Sequence, residues 1–268
     1  MSRPEAVAER LAALERPLLV ALDVDGTISP IVRDPDRARI PNPTMAVLRR
    51  LAETPGVVLA LITGRDFDSL RRMEQLEGIW RAVEHGGLVL APNEEPAERV
   101  LPEPQQQALV QFENWVAEHA SDAFIERKPQ AIAVHVRGIA MTDPERAERL
   151  MSEADSLATG LGLHVRRGKA LREAEAVPND KGVALRAILE RSGASSVFFV
   201  GDDLTDLPAI AFAAEHGIGV FVRSSEARAT PSSAALVLDG VAEVEELLWE
   251  LVERLERGAR SGGADILP

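Results

Sequence analysis

The chain has 268 residues, of which 46% are hydrophobic and 27% charged, with a formal net charge of −13 and no cysteine. These values suit a folded chain of one large or two modest domains; they exclude disulfides, thiolate catalysis and Cys-ligated metal, and the acidic surplus argues against nucleic-acid and anionic-membrane surfaces. The start MSRPEAVAERL lacks a signal peptide's apolar core and no apolar run approaches membrane-spanning length, so the expectation is a cytoplasmic monomer of bacterial type that meets small molecules.

In chain order, Pro4 to Leu14 has the spacing of a short amphipathic helix. Leu18 to Leu22 follows, five consecutive apolar residues that run straight into Asp23, Asp25, Gly26 and Thr27. Five residues are too few for a globular helix; the pattern is that of a fully buried strand opening into a polar loop. A proline-punctuated excursion of mixed charge leads to Asn42-Pro43, which caps and starts a helix through about Glu53, and Pro55-Gly56 ends it. Val57 to Ile62 is a second buried strand ending at Thr63-Gly64-Arg65, followed by a helix from about Asp66 to Leu76. Trp80 to Val83 is a third strand, ending at Glu84-His85-Gly86-Gly87, with Leu88 to Leu90 as its hairpin partner.

Between Pro92 and Pro104 four prolines and several acidic residues mark a hinge. Beyond it the rhythm changes: a helix over about 105–119, strands near 124–128 and 132–137, a helix capped by Asp143 to about Leu161, then strands near 163–167 and 170–174. This αββαββ order predicts helices on one face of a small, mostly antiparallel sheet. After Pro178 the first rhythm returns, with a helix from Asp180 to Arg191, a strand from Ser196 to Val200, a helix to Ala214, a strand from Ile218 to Val222 and a last helix from Val241 to Arg257; the tail from Gly258 is expected to fray. The fold class is therefore α/β, a Rossmann-like doubly wound parallel sheet over residues 1–103 and 178–268 interrupted by an inserted α+β domain over 104–177.

The polar motifs fall where the apolar runs end. Asp23 and Asp25 are two residues apart, so in extended backbone they share a face, and their repulsion calls for a cation or a shared proton. Taken alone they would serve equally as a solvated turn. A hard divalent ion such as Mg²⁺ takes oxygen ligands and leaves room for phosphate, which makes the pair a candidate phosphate site. Asp23 is the candidate nucleophile, and Asp25 the acid that protonates a leaving oxygen and then activates water. The Thr63 hydroxyl and the Gly64 amide are candidate donors to a phosphoryl oxygen, and Lys181 a candidate charge balance between nucleophile and phosphoryl group. Asp202, Asp203 and Asp206 put three carboxylates in five residues; Asp202 is assigned to the metal with Asp23 and Asp25, and Asp203 and Asp206 to its support. His85, beside two glycines at a strand end, faces the same region.

The set DVDGT, TGR, NDKG and GDDLTD, in this order, resembles the four motifs of the haloacid dehalogenase-like hydrolase superfamily. VEHGG at 83–87, IERK at 125–128, VHVR at 134–137 and GKALRE at 168–173 are similar to the trehalose-6-phosphate phosphatase family within it. The resemblance implies a Mg²⁺-dependent phosphatase that converts trehalose 6-phosphate to trehalose and phosphate, the last step of trehalose biosynthesis, through an aspartyl-phosphate. It also implies that the inserted domain grips the sugar through Glu126, Lys128, His135, Arg137 and Glu173, with Gly64, Arg65 and His85 among the substrate-binding residues. The chain departs from the family at Leu207-Pro208, where an acidic residue is common, and at Glu175-Ala176, where Arg-Pro is common. The same motifs would serve a phosphatase or a hexose phosphomutase for another sugar phosphate. An acceptor Asp with Thr and Lys would also describe a phosphorylated signalling receiver, but Asp25 and an inserted domain have no use there.

Overall fold

In the computed structural model, which describes residues 3–32, 34–97, 100–128, 130–168, 170–177, 180–223 and 236–262, the apolar run Leu18–Leu22 is a strand with every residue buried. The order is α1 (Pro4–Ala12), β1 (Leu18–Leu22), α2 (Asn42–Glu53), β2 (Val57–Ile62), α3 (Phe67–Met73), β3 (Trp80–Val83) and β4 (Leu88–Leu90). Then come α4 (Glu103–His119), β5 (Phe124–Lys128), β6 (Ala131–His135), α5 (Arg137–Thr142), α6 (Pro144–Gly160), β7 (His164–Gly168) and β8 (Leu171–Glu175). The chain closes with α7 (Lys181–Ser192), β9 (Ser196–Gly201), α8 (Leu207–His216), β10 (Gly217–Arg223), β11 (Val237–Asp239) and α9 (Gly240–Gly262). It divides into two compact units, Met1–Pro96 with Asp180–Pro268, and Ala97–Asn179.

The first unit is built on a seven-stranded sheet in the order β11-β10-β9-β1-β2-β3-β4, parallel except for the antiparallel edge pair β3 and β4. Alternation along β1 explains why a continuous apolar run was needed. Leu18, Val20 and Leu22 face one side and pack with α1, α2 and α9, whose Leu11, Leu48 and Leu251 are fully buried. Leu19 and Ala21 face the other side and pack with Leu185 and Ile188 of α7 and Ala209 and Ala213 of α8. A strand covered on both faces can carry a polar residue only where a buried partner meets it, so its positions are mostly apolar. From β1 the chain steps through β2 and β3 to one edge, and from β9 through β10 and β11 to the other. Between β1 and β9 the connections therefore diverge, which opens a crevice at the carboxyl ends of these two strands.

The far end of α3 is tied to β3 by a buried ion pair. Glu74 has a fully covered side chain; it accepts from the Leu76 amide at 2.6 Å and from Arg81 Nε at 2.8 Å.

The second unit has a four-stranded antiparallel sheet, β5-β6-β8-β7. Ile132 and Val134 of β6 and Ala174 of β8 pack with Phe112 and Val116 of α4 and with Ala154 and Ala158 of α6. Register places Glu126, Ala133, Glu173 and Arg166 in one row across all four strands, on the opposite face from that apolar packing.

The differences from the sequence reading are local. The order in the second unit is αββααββ, because Val136 turns out of extended backbone at φ −103°, ψ 16°. β6 thus ends at His135, and Arg137 opens the short helix α5 instead of continuing the strand. Asn42 lies inside α2, with Pro41 at the cap position. The short parallel strand β11 was missed, since three residues show no periodicity, and α9 runs to Gly262 past the point expected to fray. Lys169 of GKALRE and the Pro178-Asn179 start of the PNDKG segment lie outside the described residues. Among the described residues no helix is long and apolar enough to cross a membrane.

The Glu74–Arg81 pair sets a stability test. Glu74→Ala leaves a buried guanidinium uncompensated and should cost about 3–5 kcal/mol in urea denaturation. Arg71, whose side chain is 38% exposed at 3.4 Å from the same carboxylate, should cost less than about 1 kcal/mol when replaced by Ala. Equal losses would show that burial of the pair is not what matters.

Candidate active site

Asp23 is the first residue beyond β1, and its amide still donates to Val200 O at 3.0 Å, so the backbone of its neighbour β9 holds it. Only 4% of it is exposed. Its Oδ2 accepts from the Thr27 hydroxyl at 3.0 Å and its Oδ1 from Lys181 Nζ at 2.7 Å. Lys181 opens α7, a start fixed by Asp180, whose side chain accepts from the Val183 amide. The same ammonium donates to Asp206 Oδ1 at 2.6 Å, and Asp206 Oδ2 accepts from the Asp203 amide at 2.9 Å. Asp203 and Asp206 thus cap a single 3₁₀ turn, Leu204–Asp206, in both directions. One lysine ties together the loop after β1, the loop after β9 and the start of a helix.

Oxygen atoms of Asp23, Asp202 and Asp206 lie within 4.8 Å of one another, and all three residues are buried. Close approach is possible because Gly26, at φ +86°, has no Cβ: one added there would sit 2.1 Å from Asp202 Oδ2. Three carboxylates against one ammonium leave an excess of negative charge in a place with little water to screen it. Burial pushes Asp23 from the ordinary 3.8 to about 8, with Lys181 working against the rise and Asp206 adding to it. Burial also works against the Lys181 ammonium, but Asp23 and Asp206 outweigh it and hold Lys181 above the usual lysine value. A site that would otherwise take up a proton near neutral pH is a site suited to a hard divalent cation, which oxygen donors of this kind ligate.

Asp25 is not part of that cluster through its side chain. Arg65 grips its carboxylate with two hydrogen bonds, Nε to Oδ2 at 2.6 Å and Nη2 to Oδ1 at 2.7 Å, and donates with Nη1 to the Ser69 hydroxyl at 3.0 Å. The side chain of Asp206, expected in support, lies in the oxygen cluster with Asp23 and Asp202, and that of Asp25, expected at the metal, is gripped by Arg65, expected at the substrate. Thr63 is buried just past β2, and its hydroxyl accepts from the Arg65 amide at 3.2 Å, leaving its proton to donate. The loops after β2 and β3 are stitched together, His85 N to Thr63 O at 2.9 Å and Glu84 N to Arg65 O at 2.8 Å. Glu84 and His85 take left-handed backbone, φ 53° and 56°, and the His85 ring fills the space where Gly64 lacks a Cβ. Thr27 was missed as a partner of Asp23, although its place in DVDGT was the available signal.

Four of the five sugar-binding candidates of the second unit lie on one face of its sheet. Lys128 donates to Glu173 at 2.7 Å and His135 Nε2 lies 3.0 Å from Glu126. Arg137 is exposed at the start of α5, off the sheet. Sequence reading missed a third pair on that face, Arg166 Nε to Glu175 at 2.8 Å, which period-two alternation along β7 and β8 would have revealed.

Residues 21–242 match the family described as trehalose-phosphatase. The chain is 32% identical over 243 residues, 86% of its length, to a protein of Mycobacterium tuberculosis described as an uncharacterized glycosyl hydrolase, of which it covers 18%. It is 29% identical over 247 residues to the trehalose-phosphate phosphatase of Mycobacterium ulcerans, covering 88% of this chain and 62% of that one. The chain thus spans less than two thirds of the length of these relatives. In fold it is similar to the trehalose-6-phosphate phosphatase of Aspergillus fumigatus, with a TM-score of 0.72 at 24% identity, covering 94% of this chain and 98% of that chain. The C-terminal domain of the Candida albicans enzyme gives 0.73 at 22% identity, covering 93% and 97%.

The raised pKa of Asp23 has a consequence for stability. Between pH 3.8 and about 8 the folded state binds more protons at Asp23 than the unfolded state does, so this group's contribution to stability falls as pH rises through that window. With a chelator present, Asp23→Asn should therefore melt above wild type at pH 8, by about 2 °C or more, and the gap should close toward pH 4. Thermal melts of both proteins across that range measure it, and a gap that does not change with pH would contradict the assignment.

Proposed function

Since the chain belongs to the trehalose-phosphatase family, we propose that it is a Mg²⁺-dependent phosphatase that hydrolyses trehalose 6-phosphate to trehalose and inorganic phosphate through an aspartyl-phosphate on Asp23. The observation that carries this reading is the Lys181 bridge between Asp23 and Asp206 beside Asp202. It keeps a nucleophilic carboxylate, a cation and a metal-capable oxygen set in one buried place at the end of the central strand.

In the first half-reaction an Asp23 carboxylate oxygen attacks phosphorus. The bond from phosphorus to the sugar oxygen breaks, and Asp25 gives that oxygen its proton. In the second, Asp25 takes a proton from water, whose oxygen attacks phosphorus and releases phosphate from Asp23. Lys181 offsets the charge of Asp23 as the anionic phosphoryl group approaches, and the Thr63 hydroxyl donates to a phosphoryl oxygen. Asp23 and Asp202, with Asp206 in reach, would hold Mg²⁺, which would supply charge neutralisation at the phosphoryl oxygens. Arg65 orients Asp25 by its two-point grip. Sugar recognition is assigned to Glu126, Lys128, His135 and Glu173, since carboxylates accept from hydroxyls and the ammonium and imidazole donate to sugar oxygens.

Phosphate release from a panel of sugar phosphates tests the reaction. Trehalose 6-phosphate should be turned over faster than glucose 6-phosphate or sucrose 6-phosphate, chelation should abolish the activity, and Asp23→Asn should lose essentially all turnover while remaining folded. Residual turnover in that variant would rule out Asp23 as nucleophile, and preference for another sugar would rule out the substrate.

Recognition is tested separately. Loss of a hydrogen bond to a charged group is worth about 1.5–3 kcal/mol, so Glu126→Ala, Lys128→Ala and Glu173→Ala should each lower kcat/KM for trehalose 6-phosphate by roughly ten- to a hundredfold. The loss for a small aryl phosphate should be far smaller in each case. Equal losses on both substrates would make these residues supports of the fold.

A further inference from the structure

Phe124 is a large aromatic residue that is 66% exposed, at the start of β5. A single exposed apolar side chain needs no explanation, but the company this one keeps is unusual. It sits directly opposite His135 in the β5–β6 register, two residues from Glu126 and four from Lys128, so all four share the polar face of the sheet. Its ring lies 5.4 Å from that of His135, tilted by 49°, and His135 in turn meets Glu126 at 3.0 Å. An open aromatic face is thus flanked by a carboxylate and an imidazole whose side chains are 45% and 35% exposed.

A pyranose ring presents two chemically different surfaces. Hydroxyls around its edge need donors and acceptors, while the C–H groups on its faces gain by leaving water against an apolar plate. Phe124 provides such a plate, and Glu126 and Lys128 provide the polar groups beside it. We propose that Phe124, with the His135 ring beside it, is the stacking platform for a pyranose ring of the substrate, and so a specificity-determining residue. The proposal rests on the sugar-phosphate reading above and adds to it a residue that none of the sequence motifs contains.

The test compares Phe124→Ala, Phe124→Leu and Phe124→Trp with wild type on trehalose 6-phosphate and on an aryl phosphate, with trehalose itself as a binding probe in calorimetric titration. Phe124→Ala should raise KM for trehalose 6-phosphate about tenfold with little change in kcat, and its kcat/KM should fall at least about fivefold further for the sugar than for the aryl phosphate. Phe124→Trp should restore KM and Phe124→Leu should not, because the flat π-face is what is lost. Parallel losses on both substrates, or a leucine variant equal to wild type, would overturn the platform. Failure of the phosphatase reading would appear differently, as a wild type that releases no phosphate from trehalose 6-phosphate. In that event weaker trehalose binding by Phe124→Ala than by wild type still supports the platform, and equal binding overturns it.

Discussion

The ammonium of Lys181 lies 2.7 Å from Asp23 and 2.6 Å from Asp206, and the crevice at the carboxyl end of the sheet depends on that bridge. A carboxylate at the end of a doubly covered strand has already lost most of its water, and a second and third brought alongside repel it in a medium that screens poorly. With Lys181 removed, Asp23, Asp202 and Asp206 would have to protonate or move apart. With it, Asp23 and Asp206 are both hydrogen-bonded to one ammonium, and three carboxylates still share a single lysine charge. The site is thus held in a state of partial compensation, with enough charge balance to fold and a residue of negative charge left over, which suits the phosphatase proposed above.

A second pairing of the same kind organises the neighbouring loop. Arg65 joins Asp25 to Ser69 of α3, and α3 is fixed at its other end to β3 through Glu74 and Arg81. The loops after β1, β2 and β3 are therefore linked by side-chain and backbone bonds rather than left as independent excursions. Rigidity near the site comes from these ties and from the apolar strands that deliver each loop to the same edge.

The inserted unit solves a different problem with the same period-two geometry. One face of its sheet is covered by α4 and α6, so Ile132, Val134 and Ala174 point there. The opposite face carries charge, arranged as the pairs Lys128–Glu173, Glu126–His135 and Arg166–Glu175. Lys128 and Glu173 belong to β5 and β8, which are separated by β6, and β6 offers only Ala131 and Ala133 between them. Small residues on the middle strand let the two charges meet across it. Glu175, where the chain departs from the family pattern, is paired with Arg166 on the adjacent strand.

Local pattern in the sequence was enough to read the doubly wound parallel sheet and the second, antiparallel one, and to name candidate residues at the strand ends. A strand covered on both sides is largely apolar, so Leu18 to Leu22, Val57 to Ile62 and Val197 to Val200 stand out, and the polar residues that follow them mark the candidate edge. Motif order likewise singled out Asp23, Thr63, Lys181 and Asp202 as candidates, and the structure brings Asp23, Lys181 and Asp202 together. What local pattern does not contain is which charged side chain meets which. Lys181 is 158 residues from Asp23 and Arg65 is 40 from Asp25, and both pairings exist only because the strand order places those loops together. The same holds for Asp206, whose position follows from a reciprocal cap within a turn, and for Arg137, which left its strand when Val136 changed backbone region. Burial, charge compensation and strand neighbours are properties of the assembled chain, because a pairwise Coulomb energy depends on distance and dielectric, and neither is defined until the sheet has formed.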